Sequence, residues 1–221
     1  MKRHAAGPNI QLRSAPADSP QPSADGNPLV LCPACRRNGQ SPAFIRHIRS
    51  IGPFDGGLRD VIHSLKFEGR RSLAAHLAPL ARDAARDVLR GADAVVPVPL
   101  HPWRQWRRGF NQATLTAETL GLPLWPVLSR TRATRAQSEL EADARHANVA
   151  GAFRLAGWTP GGRGSTAHRV RGRTLVLVDD VLTTGATLEA CAQPLLAAGA
   201  AEIRALTVAR VSRQHTRAIS V

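Results

Sequence analysis

Thr174-Leu175-Val176-Leu177-Val178-Asp179-Asp180-Val181-Leu182-Thr183-Thr184-Gly185-Ala186-Thr187 joins an apolar run, an acidic pair and a turn of small residues in immediate succession. A half-exposed strand would alternate apolar and polar side chains. The unbroken run Thr174 to Val178 instead suits a central parallel strand covered on both faces, ending at the acidic pair. Thr187 to Ala198 then reads as a helix closed by Gly199, with Pro194 awkward inside it, and Ile203 to Ala209 as one more strand.

Upstream, Ala94-Val95-Val96-Pro97-Val98 is a short buried strand bounded by Asp93 and Pro99, where prolines forbid further ladder bonding. Asn111 to Leu120 reads as a helix closed by Gly121, and Leu124 to Leu128 as a strand that Pro126 weakens. Leu58, Val61, Ile62 and Leu65 share one helical stripe, and Leu73, Leu77, Leu80, Ala84 and Val88 share the next, so two helices are expected before the first strand. A helix is expected around Gln137 to Ala147, a short strand at Ala152 to Leu155, and a loop over the glycine-rich Gly157 to Gly172. Alternating strands and helices spell an α/β domain with a mostly parallel sheet, which binds ligands at the carboxyl ends of its strands.

The chain has 221 residues, of which 43% are hydrophobic and 21% charged, so it can bury a core without staples. No apolar run approaches the roughly 18 residues of a membrane-spanning helix, which argues against membrane insertion. Three cysteines cannot build a disulfide framework, and residues 1–14 carry no apolar stretch of secretory type; a reducing cytoplasm is the expected compartment. Lys+Arg number 30 against 16 Asp+Glu, a net charge of +14, and only Lys2 and Lys66 are lysine. That excess reads either as attraction for polyanions or as the arginine bias of GC-rich coding, because the cations are spread along the chain. Residues 1–28 are rich in Pro and Ser and poor in large apolar side chains, the composition of a disordered tail.

The turn after the acidic pair has a physical use. Backbone N–H groups at a helix start, with threonine hydroxyls, can surround a phosphate, and the helix dipole favours the negative charge. Asp179 and Asp180 can accept hydrogen bonds from a vicinal diol, and a phosphate with a diol makes a ribose 5-phosphate. The plainer alternative is a strand-turn-helix in which an aspartate caps the helix. The thirteen positions from Leu175 to Thr187 resemble the phosphoribosyl-pyrophosphate (PRPP) motif of type I phosphoribosyltransferases. The resemblance implies that Asp179 and Asp180 hold the ribose hydroxyls and that Thr183, Thr184, Gly185, Ala186 and Thr187 cradle the 5-phosphate.

A second constellation is Val96-Pro97-Val98-Pro99-Leu100-His101-Pro102-Trp103-Arg104-Gln105-Trp106-Arg107-Arg108-Gly109-Phe110-Asn111-Gln112, a strand end and pinned turn followed by arginines suited to phosphate oxygens. Its bland alternative is a solvated basic loop with two tryptophans packed on the domain edge. The P-V-P-L and R-R-G-F-N-Q segments resemble the ComF family, late-competence relatives of the phosphoribosyltransferases. Phe54 to Arg59, Leu65 to Gly69, Arg130 to Gln137 and Arg145 to Phe153 extend the likeness over residues 32–210. It implies a type I phosphoribosyltransferase-like parallel sheet flanked by helices (residues 57–212), a small reduced N-terminal hood (29–56) and a C-terminal tail (213–221). It also implies that Leu100, His101, Arg107 and Arg108 meet the pyrophosphate. Arg132, Arg135, Gln137 and Arg145 would add to that contact from a closing loop, or stand on the surface paired with Glu139, Glu141 or Asp143.

Cys32-Pro33-Ala34-Cys35 has the spacing of a zinc knuckle, in which two thiolates share one tetrahedral ion. Zinc needs four ligands, and ComF proteins carry a second such pair that this chain lacks; His47 and His63 are conceivable substitutes, and a metal-free remnant is the alternative. Cys191 reads as a core thiol.

Three functions follow. In the first, Mg²⁺ comes with PRPP, and a phosphoribosyl group passes to a nitrogen acceptor while pyrophosphate leaves. In the second, the chain senses PRPP or a nucleotide without catalysis, or handles single-stranded DNA with the competence machinery. The third is a plain nucleic-acid binding module.

Overall fold

A computed structural model describes residues 44–67 except 46, then 72–132, 148–157 and 165–211. The segments expected to be a tail (1–28), most of the hood with Cys32 and Cys35, the helix at 137–147, the loop residues Arg135, Gln137 and Arg145, and the C-terminal tail (213–221) lie outside them.

The elements in order are β1 (Ile48–Pro53), α1 (Gly56–Phe67), α2 (Ser72–Ala84), α3 (Arg86–Leu89), β2 (Ala94–Pro97), α4 (Pro102–Arg108), α5 (Gln112–Glu118), β3 (Leu128–Arg130), β4 (Phe153–Leu155), α6 (Ser165–Val170), β5 (Thr174–Leu182), α7 (Ala186–Ala197) and β6 (Glu202–Arg210). Four strands form one sheet in the order β1-β6-β5-β2, every neighbouring pair parallel. The α/β class with a parallel sheet and flanking helices, expected from the sequence, is the architecture observed.

Alternate residues of each central strand feed opposite cores. Leu175, Leu177, Val96, Ile203 and Ala205 pack with Leu188, Cys191 and Leu195 of α7 and with Phe153 and Leu155 of β4. Val176, Val178, Val95 and Leu206 face the other way, onto Ala81, Val88, Ala117 and Leu120. Both faces are covered, which is why β5 reads as an unbroken apolar run.

Five features depart from the sequence reading. A strand, β1, precedes the first helices; Arg49, Ser50 and Gly52 hide it, because an edge strand needs only part of its length apolar. It is held by its register on β6 and by Ser50 Oγ, 2.7 Å from Thr207 Oγ1. The acidic pair lies inside β5, not beyond it, because β6 runs on to Arg210 and keeps pairing as far as Leu182. The expected strand Leu124 to Leu128 is only a bridge from Leu124 to Val95; β3 starts at Leu128 and pairs antiparallel with β4 outside the main sheet. The expected loop Gly157 to Gly172 contains the short helix α6. Leu80, placed on the apolar stripe of α2, is 40% exposed. Helix α7 accommodates Pro194, whose carbonyl accepts the Ala198 N–H at 3.1 Å.

Candidate functional site at the carboxyl edge of the sheet

Asp179 and Asp180 occupy consecutive positions of a strand, so the pleat sends them to opposite faces. Asp180 turns towards α1, where its Oδ2 lies 2.7 Å from Lys66 Nζ. Asp179 turns towards α7 and lines a small open hollow with Thr183, Gly185, Thr187, Leu182 and Leu188. Its Oδ1 accepts the backbone N–H of Asp180 at 2.8 Å, which fixes the carboxyl group against its own strand.

The turn that follows is shaped by Gly185, at φ 84° and ψ −4° immediately before α7. An L side chain pays to enter this left-handed region, and glycine does not. Thr184 Oγ1 accepts the Ala186 N–H at 3.4 Å, so one threonine hydroxyl sits at the start of the helix. The hollow therefore combines a carboxyl group, hydroxyls and the positive end of a twelve-residue helix.

Helix α4 brings the arginines. His101 caps it, its ring Nδ1 accepting the Trp103 N–H at 3.3 Å, and Gly109 closes it at φ 73°. Asn111 Nδ2 donates to the Val98 carbonyl at 2.9 Å, pinning the return of the loop to the end of β2. Arg104 and Arg108, four residues apart, are half-buried on the inner side, whereas Trp103, Trp106 and Arg107 are exposed. Burial lowers the basicity of Arg108, while the Asp180 carboxylate acts to restore it. Arg130 at the end of β3 stacks on the Phe153 ring at 5.2 Å, and the charges of Arg104 and Asp179 both act on it.

These charges set the chemistry of the acidic pair. Burial, and then the neighbouring Asp180 carboxylate, raise Asp179 from the ordinary carboxylic range to about 7, against the pull of Lys66 and Arg130. Cys191 lies buried beneath it in α7, and burial raises the thiol well above its usual range. That matches the core role expected for it.

The fold thus brings together Asp179, Asp180, Thr183, Thr184, Gly185, Ala186, Thr187 and Arg108. Leu100 stands on the same edge. His101 spends its ring on capping α4, and Arg107 lies on the outer face, its guanidinium 5.7 Å from the Trp103 ring centre. Arg132 donates to the carbonyls of Asn148 and Ala150 at 3.3 and 3.2 Å, so its guanidinium group is engaged by backbone. Sequence reasoning missed Lys66 and Arg130 as site residues, and placed Arg104 only as one of the arginines of the 101–108 turn. Lys66 carried a signal, being one of two lysines in a chain of arginines, and Arg104 stands one helical turn before Arg108.

Among the described residues, no three His, Cys, Asp or Glu side chains converge as a metal cluster. Paired carboxyls beside arginines suit a Mg²⁺ that arrives on the oxygens of a phosphorylated substrate. No helix among the described residues is long and apolar enough to cross a membrane.

Similarity to known proteins extends over most of the chain. The family described as "Phosphoribosyl transferase domain" matches residues 73–218. The chain is 37% identical over 186 residues to DNA utilization protein YhgH of Escherichia coli (strain K12), covering 80% of this chain and 77% of the relative. It is 35% identical over 181 residues to Competence protein F of Haemophilus influenzae, covering 77% and 75% respectively. A hypoxanthine phosphoribosyltransferase structure from Staphylococcus aureus aligns over 68% of this chain and 62% of that one, at 13% identity and a TM-score of 0.30. On the family match over more than half of its length and the relatives at 37% and 35% identity, the chain belongs to the phosphoribosyl transferase domain family, in the ComF branch that the sequence resembled.

Proposed function

We propose that the protein binds PRPP at the β5–α7 edge and transfers its phosphoribosyl group to a nitrogen acceptor. The observation that carries this reading is the shared hollow of Asp179, Thr183, Gly185 and Thr187. The Thr183 to Thr187 turn receives the 5-phosphate on its N–H groups and hydroxyls. Asp179 accepts hydrogen bonds from the ribose hydroxyls and fixes the ring, while Asp180 stays on the opposite face, bonded to Lys66. Arg104, Arg108 and Arg130 face the pyrophosphate. The bond from C1 of the ribose to the pyrophosphate oxygen breaks, the acceptor nitrogen bonds to C1, and the acceptor proton passes to solvent. Negative charge grows on the leaving group, and prearranged guanidinium groups stabilise it more than they stabilise the ground state. When bound with PRPP, Mg²⁺ supplies further neutralisation of the pyrophosphate oxygens.

Calorimetry with PRPP, with and without Mg²⁺, tests the site. Binding that needs Mg²⁺ and is lost in Asp180→Asn/Thr184→Ala supports it, and no binding by the unaltered chain overturns it. Release of pyrophosphate on screening nucleobases separates transfer from sensing.

The outer face of α4 favours a second reading, the handling of single-stranded DNA. Trp103 is 56% exposed and Trp106 83%, with Arg107 alongside. Unpaired bases stack on such rings while arginines meet the phosphates, and the +14 charge attracts the polyanion. This reading expects binding that falls steeply with salt and survives loss of the carboxylates.

A further inference from the structure

We propose that α4 couples its two faces: a pyrophosphate on the inner arginines weakens the hold of the outer face on single-stranded DNA, and the strand weakens pyrophosphate binding by the same factor. The inference rests on both readings above and adds the dependence of one on the other. Its ground is the placement of charge. Helix α4 has seven residues and none of them is buried. It is held by its ends: Pro102 opens it, and the buried Phe110 and the Asn111 bond to the Val98 carbonyl follow it. Val98 in turn donates its N–H to the Val178 carbonyl of β5 at 2.9 Å. One short helix therefore stands between the edge of the sheet and solvent, with Arg104 and Arg108 half-buried and Trp103, Trp106 and Arg107 exposed.

From Ala94 to Ala117 the sequence holds no Asp or Glu, so the segment supplies no carboxylate of its own to divide the three guanidinium charges. Arg104 and Arg107 both act against the charge of Arg108, which the Asp180 carboxylate favours from β5. A seven-residue helix is about 10 Å long. That is no more than the roughly 10 Å over which charge is screened at about 0.1 M salt, so each face feels the other. An anion bound on one face cancels part of the field that attracts an anion to the other, and the two anions repel. Linkage makes the effect reciprocal. The outer occupant is an unpaired strand, because Trp103 and Trp106, one helical turn apart, offer their rings to bases that a duplex keeps stacked. Arg107, beside the Trp103 ring, meets the phosphates. A chain carrying PRPP thus releases a strand that the empty chain holds.

The test uses the full chain, a fluorescent oligothymidine and saturating PRPP with Mg²⁺, at a matched ionic strength of about 50 mM. Anisotropy should show the oligothymidine dissociation constant rise about fivefold with PRPP, and calorimetry the PRPP dissociation constant rise equally with oligothymidine. Ribose 5-phosphate fills the turn before α7 but brings no pyrophosphate to α4, and should change strand binding by less than about twofold. In Trp103→Ala/Trp106→Ala the oligothymidine should no longer affect PRPP; if circular dichroism shows that variant unfolded, Trp103→Gln/Trp106→Gln is judged in its place. Two ligands that bind together without mutual effect overturn the coupling and leave both readings standing. An equal effect of ribose 5-phosphate, or its persistence in the tryptophan variant, also overturns it, because the strand then lies in the ligand hollow itself. A duplex bound as tightly as the single strand overturns the choice of occupant and the proposal with it. If PRPP or oligothymidine alone fails to bind the unaltered chain, the corresponding reading falls and takes the coupling with it.

Discussion

Asp179 and Asp180, adjacent in β5, face opposite sides of the sheet: one opens on the hollow before α7, the other is bonded to Lys66 on α1. Their environments differ, so their substitutions should differ as well.

Asp179→Asn is expected to stabilise the ligand-free protein in a pH-dependent way. With a midpoint of about 7 in the fold against an ordinary 3.8, native Asp179 holds a proton that the unfolded chain has lost between those values. Stability of the unaltered chain should therefore fall as pH rises from about 4 to 7. The asparagine variant lacks this penalty. Its advantage in thermal melts should be near zero below pH 4 and reach on the order of 1–3 kcal/mol above pH 7, while PRPP affinity is lost.

Asp180→Asn should do the reverse. It leaves the Lys66 ammonium group with no carboxylate at a partly shielded position, which costs about 1–3 kcal/mol. Chemical denaturation at pH 7 checks the sign.

Gly185→Ala forces a side chain into the left-handed region at the head of α7 and should cost about 1–2 kcal/mol. The turn relaxes, so 5-phosphate binding should fall further than stability does. Comparing melting temperature with the affinity for ribose 5-phosphate separates the two effects.

Trp103→Ala/Trp106→Ala should alter stability by about 0.5 kcal/mol or less, because both rings are solvent-exposed. If the outer face of α4 binds unpaired strands, the same variant loses affinity for an oligothymidine while keeping PRPP binding. Fluorescence anisotropy at two salt concentrations reads the loss.

Arg132→Ala removes the hydrogen bonds to the Asn148 and Ala150 carbonyls. A net contribution of about 1 kcal/mol corresponds to roughly fivefold faster amide exchange. The effect should be confined to residues 148–152, which hydrogen-exchange mass spectrometry can resolve.

The centre of the fold was legible in the sequence because β2, β5 and β6 are buried on both faces and betray themselves as apolar runs. The edge strand β1 was not, since Arg49, Ser50 and Gly52 satisfy a strand whose outer side faces solvent. The candidate site was legible where one continuous segment supplies it, from Asp179 to Thr187. It was illegible where folding assembles it: nothing in the local sequence of Lys66 says that α1 ends beside Asp180, and nothing around Arg130 says that β3 leaves the main sheet to lie near Asp179. The two faces of α4 are intermediate, because the Arg104–Arg108 spacing was visible but the inward side was not.

The strand order β1-β6-β5-β2 also bears on biosynthesis. Among the described residues, the first strand to leave the ribosome pairs only with the last, so β1 must wait for some 150 residues of nascent chain before that neighbour exists. Until β6 emerges, the apolar edge of β5 stays uncovered, and a ribosome stalled before residue 202 would hold a product prone to aggregation.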